Sequence, residues 1–165
     1  MLTLIWIFSL LQFMTACRQQ PEPETYLIPT GFKGKVNIIF NQFNGAAVKY
    51  ESGRRVYEIP NNGILLTQFE DEDGLINHQY YYIDSTGNRQ TLKIDLEDNI
   101  SNPSEVGIFR DGTLGVYGNS DNPKSLSYQE FYVTDTKDFE SYFTQGYQQK
   151  FQEKIKELIS ARSLQ

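Results

Sequence analysis

The sequence contains few cysteine, histidine and tryptophan residues. It contains one cysteine, Cys17, one histidine, His78, and one tryptophan, Trp6. A single cysteine excludes disulfides within the chain. A zinc site would have only one imidazole, and a serine nucleophile would lack the Gly-x-Ser-x-Gly motif, which the chain does not contain. We therefore expect no cofactor, no enzymatic activity and a His78 that lies on the surface.

Basic residues are also in the minority. The chain has 15 lysines and arginines against 21 aspartates and glutamates, a formal net charge of -6. Nucleic-acid-binding proteins normally carry a basic patch, and the sequence contains no cluster of basic residues. We expect no nucleic-acid partner. An acidic surface also disfavours adhesion to anionic lipids through charge alone.

The N-terminal segment is the one long apolar run. Met1 to Ala16 has no charged side chain. The run is shorter than the roughly 20 residues that a membrane-spanning helix needs, and its length is typical of a signal peptide. It ends in Met14-Thr15-Ala16-Cys17, which resembles a bacterial lipobox. The pattern predicts a lipoprotein signal over residues 1–16, cleavage between Ala16 and Cys17, and lipid on Cys17; the alternative is a free thiol beside an ordinary secretory cleavage site.

The residues after the cysteine are polar. Residues 17–25 contain glutamine, glutamate and two prolines, a composition typical of a flexible tether. Two acyl chains on one cysteine are sufficient for stable membrane attachment. We therefore expect a bacterial cell-envelope protein, periplasmic or at the cell surface, whose partner is the membrane through the lipid anchor on Cys17.

Residues 26–134 show the patterns of β-strands and tight turns. Strand signals occur at Lys35–Phe40, Arg55–Ile59, Gly63–Phe69 and Ser127–Val133. Two hairpins are predicted, from Gln79–Ile83 to Arg89–Ile94, and from Val106–Arg110 through Asp111-Gly112 to Thr113–Tyr117. The sequence predicts a mainly β domain, an antiparallel β-sandwich.

The spacing of apolar side chains changes in residues 135–165. Apolar side chains recur every four residues, which predicts a C-terminal amphipathic α-helix that is packed on the domain. Asp135 or Thr136 is expected to cap the helix, and Gly146 to bend or divide it. The alternative is a docking surface for an envelope protein partner. The residues of that surface would be Phe139, Phe143, Tyr147 and Phe151.

One loop is densely acidic. Glu70, Asp71 and Asp73 precede Gly74, and carboxylates before a turn glycine are typical of calcium-binding loops. The spacing is not that of an EF-hand. The loop is therefore either a small metal site or a solvated acidic connection between two strands.

Four segments carry a resemblance to a known family. They resemble an uncharacterised bacterial lipoprotein family, domain of unknown function 6843, and contain paired Ile-Pro steps; the segments are Tyr26–Gly34, Val36–Phe40, Gly53–Pro60 and Gly63–Thr67. The resemblance implies no activity and no site residues. More loosely, the strand pattern is similar to transthyretin-like or carboxypeptidase-regulatory-like β-sandwich modules, a likeness of fold only.

These observations predict a lipid-anchored envelope protein without enzymatic activity that binds another protein or supports an assembly. One alternative is a module that binds a small ligand or calcium through residues 70–73. A less favoured alternative is an envelope hydrolase with carboxylates that are distant in sequence.

Overall fold

The computed structural model describes residues 21–72, 74–95, 102–118 and 125–162. The predicted signal peptide, Cys17 and Asp73 lie outside these ranges. Within them the chain forms nine strands, a short 3-10 helix at Phe139–Phe143 and one α-helix, α1, at Gln145–Arg162. The strands are β1 (Glu24–Pro29), β2 (Gly34–Ile39), β3 (Tyr50–Glu51), β4 (Arg54–Glu58), β5 (Ile64–Leu66), β6 (His78–Ile83), β7 (Arg89–Leu92), β8 (Gly107–Tyr117) and β9 (Leu126–Thr134).

The strands form two sheets that face each other. The five-stranded sheet has the order β3-β4-β1-β6-β7, and the four-stranded sheet has the order β5-β2-β9-β8. Side chains at alternate positions point into the space between the sheets, as Tyr26 and Ile28 do from β1 and Val36 and Ile38 do from β2. The predicted β-sandwich with a C-terminal helix is confirmed.

The prediction that the sandwich is purely antiparallel is wrong. Strand β1 pairs in parallel with β4 and β6, and β2 pairs in parallel with β5. The reason is that the chain alternates between the sheets: after each strand or strand pair in one sheet it crosses to the other and returns. The paired strands that such an excursion separates, β1 with β4 and β2 with β5, run in the same direction, which alternation of side chains along each strand does not reveal.

The hairpin predicted around Asp111-Gly112 is also wrong. Strand β8 runs through this dipeptide, and both halves of the strand pair with β9. Phe109 pairs with Tyr132 and Thr113 with Glu130, so that residues 110–112 bulge out of the ladder. Arg110 and Gly112 have positive φ angles of 55° and 70°, the conformations expected of a turn. These conformations produce a bulge here and do not reverse the chain. The predicted hairpin from β6 to β7, by contrast, is confirmed.

Helix α1 covers the outer face of the four-stranded sheet. Phe151 and Ile155 are buried against Ile39, Ile64 and Leu66. The 3-10 helix covers the same face beside Phe109 and Tyr132. The molecule therefore has three layers, and the apolar stripe predicted from the sequence is used to attach the helix to the domain.

The ends of two segments differ from their predicted positions. The division expected at Gly146 lies at Thr144, which is extended at φ -63° and ψ 142° between the 3-10 helix and α1. The cap expected at Asp135 or Thr136 is wrong, because the N-cap residue of the 3-10 helix is Asp138, which makes no side-chain capping hydrogen bond; Asp135 Oδ1 accepts a hydrogen bond of 3.0 Å from the backbone N–H of Asp138. Strand β1 begins at Glu24, so that Glu24 and Thr25, placed in the tether by the sequence, are buried parts of the fold.

A pair of glycines tests the packing where β2 meets β5. Gly63 and Gly53 have nearly equal φ angles, +76° and +74°. A Cβ at Gly63 would lie 2.4 Å from the backbone oxygen of Lys35, whereas a Cβ at Gly53 would meet nothing within 4 Å. Both alanine variants incur backbone strain, but only Gly63→Ala must also push strands apart, which costs about 1–3 kcal/mol more. Urea unfolding of the two variants checks this difference; equal losses of stability would contradict it.

Candidate functional site

Two groups of side chains in this fold are candidates for function: a buried polar cluster between the sheets and a basic pocket beside α1. The first, here called the His78 cluster, is assembled by the parallel register of β1 and β6, which sets Glu24 beside His78 and Tyr26 beside Tyr80. Strand β4 and the bulge of β8 complete it. Its members are Glu24, Tyr26, Tyr57, His78, Tyr80 and Asp111.

Glu24 is the most deeply buried acid of the cluster, with 2% of its side chain exposed. Its carboxylate accepts hydrogen bonds from the hydroxyls of Tyr26 and, at 3.0 Å, Tyr57. His78 Nε2 lies 3.2 Å from Glu24 Oε2. This contact is an ion pair without hydrogen-bond alignment, since Nε2 has no hydrogen-bond partner. A buried carboxylate is stable only with such compensation.

Asp111 stands on the opposite side of the imidazole. Its Oδ1 lies 2.8 Å from His78 Nδ1 and also accepts a hydrogen bond from the Tyr80 hydroxyl. The bulge in β8 makes this contact possible, because it displaces Asp111 from the ladder that the flanking residues form with β9. The imidazole is thus held between two carboxylates.

The surroundings decide the charge of His78. Burial lowers the pKa of the imidazole, but Asp111, through its hydrogen bond and charge, and the nearby carboxylate of Glu24 outweigh burial and raise the pKa to about 9. His78 is therefore protonated at neutral pH, and it is not an available general base. The expectation of a surface histidine is wrong, since only 8% of its side chain is exposed.

The tyrosines of the cluster remain hydrogen-bond donors. Burial, together with the neighbouring carboxylates, raises the pKa of Tyr26 and Tyr80 well above the usual value of 10.0. The rings of Tyr57 and Tyr80 stack on the two sides of Tyr26, with centroids 5.1 and 4.5 Å away. The cluster is therefore a tightly packed polar core.

The second group, here called the lysine pocket, is a cavity of about 310 Å³ between the start of β2, the loop after β4 and α1. Four of its lining residues are lysines and none is acidic. The lining residues are Phe32, Lys33, Gly34, Lys35, Asn61, Asn62, Tyr147, Lys150, Phe151 and Lys154.

The two lysines from the β2 side are already paired. Lys35 Nζ lies 2.7 Å from Glu130 Oε2, and only 8% of the lysine side chain is exposed. Lys33 Nζ lies 2.7 Å from Asp135 Oδ2. That carboxylate, by its hydrogen bond and charge, raises the pKa of Lys33. These pairs hold both lysines in place at the floor and rim of the pocket.

The two lysines from the helix side are exposed and lie one turn apart on α1. Neither Lys150 nor Lys154 forms an ion pair with any residue in the described ranges. No motif in the sequence indicates this grouping, because residues 33 and 35 are far along the chain from residues 150 and 154. Only the packing of α1 on β2 brings them together.

The four aromatic residues predicted to bind a partner all contact the domain itself. Phe139 stacks on Phe109 with centroids 4.8 Å apart, and the Phe143 ring lies 5.1 Å from that of Tyr132. The Tyr147 hydroxyl accepts a 3.0 Å hydrogen bond from the Lys35 backbone N–H, and Phe151 is buried against the sheet. These are the contacts of a helix that is packed on its own domain, which is the first of the two roles predicted for this segment.

The acidic loop is only partly described. Glu70 and Asp71 are exposed, and Asp73 lies outside the described residues. The neighbouring Glu72 is engaged by Arg55, with Oε1 and Nη2 2.6 Å apart. In the described part of the chain, no three histidine, cysteine, aspartate or glutamate side chains are grouped as metal ligands. The calcium site built on Asp73 stays a prediction.

Fold and site together define a two-sheet β-sandwich that is covered on one outer face by a C-terminal helix, with a basic pocket beside that helix. A model described as Family of unknown function (DUF6843) matches residues 20–143. The chain belongs to this family. The family resemblance inferred from the sequence is thereby confirmed, whereas the looser likeness to transthyretin-like modules is not.

A comparison with solved structures identifies the same fold elsewhere. The chain is similar to a crystal structure of a Bacillus anthracis protein that carries a provisional lipoprotein assignment, with a TM-score of 0.59 and 16% sequence identity. The match covers 87% of this chain and 96% of the other. At this identity the comparison establishes the fold alone. No curated protein matches the chain.

No helix in the described ranges is both long enough and apolar enough to cross a bilayer.

Proposed function

We propose that this chain is a lipid-anchored protein of the bacterial cell envelope, which displays a binding domain close to the membrane and catalyses no reaction. Lipid on Cys17 is the anchor. The function is that of an assembly or binding module whose working surface is formed by the sandwich and α1.

The observation that carries this proposal is how soon after Cys17 the chain is fastened to the domain. The Glu22 carboxylate accepts hydrogen bonds from Arg55 Nε at 2.7 Å and from the Tyr50 hydroxyl at 2.9 Å. Its backbone N–H donates to Glu72 Oε2 at 2.7 Å. Only residues 18–20 separate Cys17 from Pro21, a reach of at most about 14 Å. A lipid on Cys17 would therefore hold this end of the domain beside the bilayer.

The comparisons support the same proposal at the level of class. The family has no assigned function, and the Bacillus anthracis protein of the same fold carries a provisional lipoprotein assignment. The absence of catalysis is supported by the state of His78. It is a cation between two carboxylates, and such an imidazole neither accepts a proton at neutral pH nor activates a nucleophile.

The anchor is tested by replacing Cys17. We expect Cys17→Ala to abolish incorporation of radiolabelled fatty acid and to leave either a released domain or an unprocessed precursor. The physical reason is that no other residue near the cleavage site supplies a thiol for acylation. Cell fractionation with metabolic labelling measures both results.

A matched control is Gln19→Ala, which changes the same polar segment and keeps the cysteine. It should be labelled and retained in the membrane fraction like the parent. A Cys17→Ala protein that is cleaved at the normal site and still attached to the membrane would overturn the proposal.

A further inference from the structure

We propose that the lysine pocket is a binding site for a small phosphate monoester. The proposal goes beyond envelope anchoring, and it stands whether or not Cys17 carries lipid.

The charge of the pocket wall is opposite to that of the protein. The chain has a formal net charge of -6, yet the pocket is lined by four lysines and by no acidic residue. An acidic protein that concentrates lysines on one concave surface creates a local positive potential that attracts anions. The anion is thus selected by the pocket and not by the overall charge of the protein.

The number of unpaired charges indicates the class of anion. Lys33 and Lys35 are neutralised by Asp135 and Glu130, whereas Lys150 and Lys154 have no ion-pair partner among the described residues. A phosphate monoester carries close to two negative charges at neutral pH. Its charge therefore matches the two free ammonium groups, and lysine is a common phosphate ligand.

Neutral donors are also present at the rim. Asn62 Oδ1 accepts a 3.0 Å hydrogen bond from the backbone N–H of Ile64, which fixes the side chain and leaves its amide hydrogens available. Asn61 stands beside it in the pocket wall. Amide groups of this kind add hydrogen bonds to phosphate oxygens that the lysines do not reach.

The remaining wall accommodates an organic group. Phe32, Tyr147 and Phe151 line the pocket with aromatic rings. A volume of about 310 Å³ is at the lower end of the range of ligand pockets, which run from roughly 300 to 1,000 Å³. The size fits a phosphate that carries a short organic substituent. That chemistry occurs both in soluble phosphate esters and in a lipid headgroup.

The test is a titration of the isotope-labelled full chain in non-ionic detergent micelles, followed by the backbone amide signals of Gly34 and Asn62. One arm uses glycerol 3-phosphate, and the other uses dihexanoyl phosphatidic acid added to the micelles. Saturation in the first arm identifies a soluble ester, and saturation in the second arm alone identifies a headgroup. Either supports the proposal, and the lack of saturation in both overturns it.

Two double variants with equal charge separate a site from general electrostatic attraction. Lys150→Gln with Lys154→Gln removes the free lysines of the pocket, and we expect at least about a tenfold loss of affinity. Lys137→Gln with Lys156→Gln removes the same charge from outside it and should leave affinity within about twofold. Equal weakening in both would overturn the site. Because the titration does not involve Cys17, its failure leaves the anchoring result unaffected.

Discussion

Replacing Glu24 with alanine is expected to lower the free energy of unfolding by about 3–5 kcal/mol. The variant leaves the Tyr57 hydroxyl without its acceptor and the Tyr26 hydroxyl with Gln129 Oε1 as its remaining acceptor, in a core that is buried from water. It also removes one of the two carboxylates that balance the charge of His78. Chemical unfolding followed by far-ultraviolet circular dichroism measures the loss.

Glu58 supplies the matched control. It is also a glutamate on a strand of the five-stranded sheet, but 62% of its side chain is exposed, and it forms an ion pair with the exposed Lys49. Ion pairs of this kind contribute at most about 1 kcal/mol. Glu58→Ala should therefore unfold nearly like the parent. If Glu24→Ala lost no more stability than this control, the buried cluster would not make the expected contribution to the free energy of unfolding.

Stability is expected to fall as the pH rises from about 6.5 to above 9, by about 3 kcal/mol. The pKa of His78 is 6.5 in an ordinary environment and about 9 in the fold, so the folded chain holds the proton more tightly than the unfolded chain. The resulting stabilisation is complete below 6.5 and is lost as the pH passes through 9. Glu24 from β1 and Asp111 from β8 cause the shift, and the tyrosine hydroxyls facing the imidazole stay protonated in this range.

His78→Gln isolates this effect. The glutamine side chain is neutral at every pH of the experiment, so urea midpoints measured between pH 6 and 9.5 should change little in the variant. The parent and the variant should differ most at low pH and converge at high pH. A parent whose midpoint is constant over this range would show that His78 is not protonated between the carboxylates.

Local patterns predicted the elements of this fold better than their arrangement. The alternation of side chains at Lys35–Phe40 and Arg55–Ile59 identified β2 and β4, and the four-residue repeat after Phe139 identified the C-terminal helix. Which strands pair is decided by where the chain crosses between sheets, and side-chain alternation is the same for parallel and antiparallel neighbours. The direction of β1 relative to β4 and β6 was therefore not predictable from the local sequence.

The bulge of β8 shows that one sequence signal, an Asp-Gly dipeptide, is compatible with two different backbone structures. Asp111-Gly112 favours positive φ angles, and both a hairpin turn and a bulge use them. Tertiary contact decides between them, because Asp111 reaches His78 and Tyr80 only when β8 continues past it.

Both candidate sites depend on such long-range contacts. Each of the acids around His78 looks like an ordinary surface residue in the sequence, since nothing near it in the chain indicates burial. In the sequence alone, Lys150 and Lys154 likewise belong to the polar face of a helix. Only the packing of α1 against β2 makes them part of a pocket. Their proximity to Lys33 is a property of packing and not of any motif.

The central position of β1 and β2 affects the order in which the chain can fold. Strand β1 lies between β4 and β6, and β2 lies between β5 and β9. The ladder of β2 is therefore complete only when Gly34 pairs with Val133 in β9. Strand β2, one of the first to be synthesised, thus depends on the last strand, and such non-local pairing slows folding. The N-terminal half of the chain contains the strands β3-β4-β1-β6 of the five-stranded sheet, but of the four-stranded sheet it contains only β2 and β5, so that this second sheet is complete only after residue 134 has been synthesised.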